Sequence, residues 1–65
     1  MNKRIKGTVH VEEIGRNTYE ITATYTYNAV YIGVVRGREK RQIKAEAVAA
    51  TRKRIPSVAW GTVRM

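Results

Sequence analysis

The 65-residue chain has no cysteine and no aspartate, one histidine (His10), one serine (Ser57) and one proline (Pro56). Without cysteine there is no disulfide framework, no thiolate zinc site and no thiol redox motif, so the fold rests on packing, or on packing plus self-association. Without aspartate, and with His10 and Ser57 alone of their kinds, neither a Ser-His-Asp nor a Cys-His constellation can be assembled in one subunit. The carboxylates are Glu12, Glu13, Glu20, Glu39 and Glu46. Glu12 and Glu13 are neighbours on a predicted strand and point to opposite faces, while Glu39 and Glu46 fall on the outer side of a predicted helix, so no acid–base pair forms. His10 and Glu12 share a strand face at the spacing of a two-ligand metal fragment, but a site takes three or four ligands. They read as an exposed polar face, and no metal or cofactor is expected. So short a chain rarely shapes a water-excluding cleft, and we read it as non-enzymatic. No window approaches 18 apolar residues, and Met1 to Lys6 open onto alternating positions rather than a signal-peptide stretch. The sequence therefore reads as cytoplasmic, complete from Met1 and without a membrane partner.

What is present is a hydrophobic pattern of two periods. A chain of this length buries only about 60% of the surface its unfolded form exposes, which allows one small core and a single domain, residues 1–65. Across residues 3–14, Ile5, Gly7, Val9 and Val11 alternate with Lys6, Thr8, His10 and Glu12, a half-buried strand. Gly15, Arg16 and Asn17 supply residues that tolerate positive φ, as a tight hairpin requires. In the next strand Tyr19, Ile21, Ala23, Tyr25 and Tyr27 alternate with Thr18, Glu20, Thr22, Thr24 and Thr26: one face is apolar and aromatic, the other almost all threonine. From Ala29 to Val35 both parities are apolar. Either a turn at Tyr27-Asn28 leads into a third strand, which we favour, or one long strand bends at a bulge near Asn28 and Gly33.

Residues 38–54 switch to good helix formers with no internal Gly or Pro. At about 100° per residue Ile43, Ala47, Ala50 and Thr51 gather on one side, with Val48 and Ile55 at its margin. Pro56 stops the helix, and residues 57–65, with Val58, Trp60 and Val63, form a last strand. The order is β-β-β-α-β, or β-β-α-β if Asn28 only marks a bend. Either gives an α+β fold, a small antiparallel sheet of three to four strands with one helix on one face.

Charge is segregated along this pattern. The net charge is +8, and residues 36–54 hold eight bases against two acids, whereas residues 7–35 are net acidic. Candidate phosphate ligands fall in three groups: Lys3, Arg4 and Lys6 in an N-terminal arm; Arg36, Arg38, Lys40 and Arg41 around the helix start; Arg52, Lys53 and Arg54 in its last turn. Cations beside the backbone N–H groups of a helix start add to an anion-binding dipole end. Those in the last turn also complement the negative helix end, and basic surfaces keep small proteins soluble. Core parity claims Tyr19, Tyr25 and Tyr27, with Tyr27 and Tyr31, near the strand end, the best exceptions for stacking on bases.

The stretch Gly37-Arg38-Glu39-Lys40-Arg41-Gln42-Ile43-Lys44, after a strand and opening an alanine-containing helix, resembles the closing half of double-stranded-RNA-binding domains over residues 18–54. That resemblance implies phosphate contacts from Lys40, Arg41 and Lys44. In general character, a compact basic chain with no catalytic set is similar to small bacteriophage accessory proteins. The expectation is a non-enzymatic protein that binds nucleic acid, DNA or RNA, through backbone phosphates. The alternative is a small effector, of bacteriophage type, that docks an acidic surface of a host protein through a sheet edge or its basic helix. Homodimer formation suits either reading, because one helix leaves part of a sheet uncovered.

Overall fold

A computed structural model describes residues 5–65. Four strands and a helix follow in the order β1 (Ile5–Gly15), β2 (Thr18–Tyr25), β3 (Asn28–Arg36), α1 (Lys40–Arg54) and β4 (Val58–Arg64), with the strands side by side as β3-β2-β1-β4. This is the β-β-β-α-β arrangement with one helix on one sheet face. Two tight turns make the hairpins: β1 and β2 pair antiparallel around Arg16-Asn17, β2 and β3 around Thr26-Tyr27. Asn17 takes φ 54°, which asparagine tolerates; Thr26 takes φ 53°, where a β-branched side chain is strained.

The sheet is mixed rather than wholly antiparallel. Strand β4 pairs parallel with β1, Ile5 opposite Val58 and Gly7 opposite Trp60. A hairpin returns the chain antiparallel, but β3 and β4 are joined by a helix that crosses one face of the sheet, and such a crossover delivers the next strand in the parallel sense. Of the two alternatives around Asn28, the favoured third strand is realised and one long bent strand is not formed. A turn precedes β3, and β3 also bulges, Ile21 facing Gly33 while Thr22 faces Tyr31, so that Ile32 is the extra residue. Gly33 holds the bulge at φ +154°, a conformation side chains rarely adopt.

The core lies between sheet and helix: Val9, Val11, Tyr19, Ile21 and Ala23 from the first hairpin, Ile43 and Ala47 from α1, Val58 and Trp60 from β4. Thr51 is buried with them, its hydroxyl donating to the Ala47 carbonyl at 2.7 Å. Ala50, expected on this stripe, is exposed, because the buried positions follow a narrow line through Ile43, Ala47 and Thr51. Ile5, at the start of β1, is also exposed. Trp60 joins the layers. Its ring lies against Gly7, its Nε1 donates to the Ile55 carbonyl at 2.8 Å, and Tyr25 meets it edge-on at 5.8 Å. No helix among the described residues is long and apolar enough to cross a membrane.

Candidate nucleic-acid interface

The helix begins two residues later than the composition indicates. Arg38 stays in the connection, and Glu39 is the N-cap with extended backbone angles and no side-chain capping bond. The first helical bond runs from the Ile43 N–H to the Glu39 carbonyl at 3.0 Å, so the N–H groups of Lys40, Arg41 and Gln42 precede it and have no helical acceptor. The connection is fixed from behind: the Gly37 N–H donates to the Asn17 carbonyl at 2.9 Å, tying the exit of β3 to the β1–β2 turn, and Gly37 lies close against Ile43. Arg36, Arg38, Lys40 and Arg41 are thus carried by an anchored segment, all four exposed.

At the other end, Arg52, Lys53 and Arg54 are exposed in the last turn, where the Ile55 N–H bonds the Thr51 carbonyl at 2.8 Å. Arg41 and Arg52 are eleven positions apart, which brings them back to nearly the same direction around the helix, about 16 Å apart along it. Lys44 falls on the same flank between them and is exposed. Its candidacy as a phosphate ligand comes from the resemblance, and its helical spacing from Arg41 and Arg52 gives the same flank. Lys53 lies on the opposite flank with Glu46.

The fold does not unite all the candidates. Lys3 and Arg4 lie outside the described residues. Lys6 is exposed beside Ala59 on the sheet face away from the helix, since its neighbour Gly7 packs under Trp60. Arg36, opposite Thr18, shares that open face. There the register sets Arg64, His10, Thr22 and Tyr31 in one row across the four strands, and Thr62, Thr8, Thr24 and Ala29 in the next. The His10 Nε2 is 2.9 Å from the Thr24 hydroxyl. Glu12 and Glu20 are directly opposite each other on the same face, so it carries acids as well as bases, whereas α1 carries six bases and only Glu46.

The aromatic residues divide as follows. Tyr19 and Trp60 are buried and Tyr25 is half-buried against Trp60. Tyr27, which parity assigned to the core, sits in the β2–β3 turn and is 99% exposed, because the strand ends at Tyr25. Tyr31 is 53% exposed on the open face. Neither belongs to the basic helical surface. No group of three or more metal-ligating side chains gathers among the described residues. Two open depressions border β4, one lined by Arg52, Pro56, Val58, Ala59, Trp60 and Gly61, the other by Lys6, Gly7, Ala59, Gly61 and Thr62. Comparison with family models, with curated proteins and with solved structures finds no match for the chain.

Proposed function

We propose that the protein is a non-enzymatic nucleic-acid-binding module that grips backbone phosphates with α1 and the segment leading into it. The observation that carries this reading is the first helical turn. Arg52, Lys53 and Arg54 have a local reason to be where they are, since cations stabilise the negative end of a helix. Lys40 and Arg41 have the opposite effect. They load the positive end with like charge, which the single Glu39 carboxylate at the N-cap offsets only in part, and each costs about 0.3–1 kcal/mol at low salt. A phosphate bound there reverses the sign, accepting from the free N–H groups and neutralising Arg38, Lys40 and Arg41 together.

The Arg41–Lys44–Arg52 flank extends the contact along the helix. Cations about 16 Å apart can reach phosphates on both sides of a B-form major groove, about 12 Å wide. Such contacts position a protein without reading bases. The exposed tyrosines lie off this surface, which favours duplex over single strands. A cysteine-free chain suits a cytoplasmic setting for this role.

The test is titration of nuclease-treated protein against labelled duplex DNA, single-stranded DNA and duplex RNA at two salt concentrations. With four phosphates engaged, affinity falls about a hundredfold between about 50 and 200 mM salt. Neutralising Arg38, Lys40 and Arg41 together weakens binding on every sequence and flattens that dependence. Unchanged affinity and salt slope in this triple variant refute the reading.

A further inference from the structure

Strand β3 has the wrong composition for its place. Strands apolar on both faces belong inside sheets, where both faces are covered. Yet β3 is an edge strand, and from Ala29 to Val35 it carries no charge and no proline. Tyr31 and Val34, side by side on the open face, remain 53% and 46% exposed. Edge strands are normally blunted by charge, proline or brevity. The opposite edge differs in what it exposes: in β4 Val58 and Trp60 are buried and Val63 is half-buried, so no large apolar side chain of that strand is left in the open.

The bulge gives β3 a two-fold symmetry that a regular strand of this sequence would not have. Ala29, Tyr31, Val34 and Arg36 share the open face, being opposite Thr24, Thr22, Glu20 and Thr18, while Val30, Gly33 and Val35 face the helix with Ala23, Ile21 and Tyr19, and Ile32 packs against the same core. About a point between Ile32 and Gly33, residues equally far on either side therefore lie on the same face: Tyr31 with Val34, Val30 with Val35, Ala29 with Arg36. In a strict two-residue alternation each of these pairs would be split between faces. Backbone N–H and C=O directions alternate in step with the side chains, so residues that share a face also share the direction of their hydrogen-bonding groups.

We propose that β3 is a homodimer interface, pairing antiparallel with β3 of a second copy about a two-fold axis between Ile32 and Gly33. Tyr31 then faces Val34 of the second copy, and Val34 its Tyr31, two aromatic–β-branched pairs of the kind that stabilise sheets. Val30 meets Val35 on the helix side, and Ile32 covers the bare Gly33. Charge permits a second copy here. Two chains of +8 repel, but the paired segment contains no charge except Arg36, which lies opposite Ala29 at either end, and the two arginines stand more than a Debye length of about 10 Å apart. The product is a continuous eight-stranded sheet with both helices on one face.

This interface stands apart from the phosphate-binding reading, and salt separates the two. Added salt screens the repulsion between copies and strengthens or preserves the dimer, whereas it weakens phosphate contacts. One strand pair is a small interface, so dissociation falls in the micromolar range. Sedimentation from about 10 to about 500 µM, a range set to bracket that affinity, is expected to show monomer passing to dimer. Val34→Lys, at an exposed position, is expected to shift the midpoint at least tenfold while leaving the circular dichroism spectrum unchanged.

Register is read by cross-linking, since the chain has no cysteine of its own. Under mild oxidation a mixture of Tyr31→Cys and Val34→Cys proteins yields a covalent dimer more efficiently than either variant alone, because no residue pairs with its own copy. A mixture of Val30→Cys and Val34→Cys, on opposite faces, does not cross-link above the single variants. A wild-type chain monomeric across the range, a dimer indifferent to Val34→Lys, or a Tyr31/Val34 mixture no better than its components overturns the proposal.

Discussion

Replacing Gly7 by alanine puts the join between the layers under direct load. A Cβ at Gly7 would stand 2.2 Å from Trp60 Cζ3, 2.6 Å from Cε3 and 2.8 Å from Val58 Cγ1, all well inside van der Waals contact. A rigid indole cannot yield as the end of a flexible side chain does. If Trp60 swings clear, it gives up its bond to the Ile55 carbonyl, about 0.5–1.5 kcal/mol net, and its edge contact with Tyr25, about 0.5–1.5 kcal/mol more. It would also expose an indole now 2% accessible. The cheaper response is for β1 and β4 to part slightly, an overpacking cost of about 1–3 kcal/mol, and loss of unfolded-state entropy returns about 0.4–1 kcal/mol. At these contact distances the net sits near 2 kcal/mol. Against a total of about 3–10 kcal/mol for a chain of this size, that is a large fraction. Urea unfolding followed by circular dichroism reads it: with a slope of about 1 kcal/mol per molar, the midpoint drops by about 2 M. Gly61→Ala, with nothing within 4 Å of its Cβ, is the control and should not lower the midpoint. Trp60→Leu should cost at least about 1 kcal/mol less in the Gly7→Ala background than in the wild type, as expected of residues in contact. A Gly7→Ala midpoint within about 0.5 M of wild type, on the same slope, refutes the reasoning.

Thr26→Gly relieves a β-branched residue at φ 53° and should raise the melting temperature by about 3–6 °C, corresponding to about 0.5–1 kcal/mol, in a thermal scan. Lys40→Glu with Arg41→Glu should move two properties in opposite directions. Helix-end electrostatics improve, adding about 1 kcal/mol of stability at low salt, while affinity for duplex nucleic acid collapses; a stabilised variant that still binds rejects the phosphate role. Thr51→Val should change stability by less than about 0.5 kcal/mol in urea titration. The hydroxyl lost was bonded only to the Ala47 carbonyl, which keeps its helical N–H partner. Stability itself should rise with added salt in chemical unfolding, because a chain of +8 repels itself when compact.

The first hairpin was legible because its two faces differ in chemistry: Tyr19, Ile21 and Ala23 are buried, and the alternate threonines are not. The helix stop at Pro56 was legible because proline disfavours the helical conformation in the residue before it. The start was not. Arg38 and Glu39 are as good helix formers as Lys40, and the tie from Gly37 to Asn17, which holds the chain back before the first turn, is a tertiary contact that composition does not show. The bulge in β3 was hidden by its own composition, since alternation cannot be read where both parities are apolar. Neither was the direction of β4 written in Val58, Trp60 and Val63, which suit a parallel or an antiparallel neighbour equally; the crossover chooses. Of the candidate site, the helix cations were legible as a charge run, but their separation from Lys6 required knowing which face of β1 turns toward Trp60.

The parallel pairing of β4 with β1 orders the folding reaction. Both hairpins close over a few residues, and hairpins form in about 1–10 µs. Setting Val58 against Ile5 closes a loop of 53 residues, with an entropic cost that grows as the logarithm of that length and is met before any side chain of β4 finds its neighbours. The three-stranded meander is thus expected to form early. Trp60, buried only once β4 is in place, makes its fluorescence a reporter of the last step, and mutations at Val58 or Trp60 should act on the unfolding rate far more than on the folding rate of the meander.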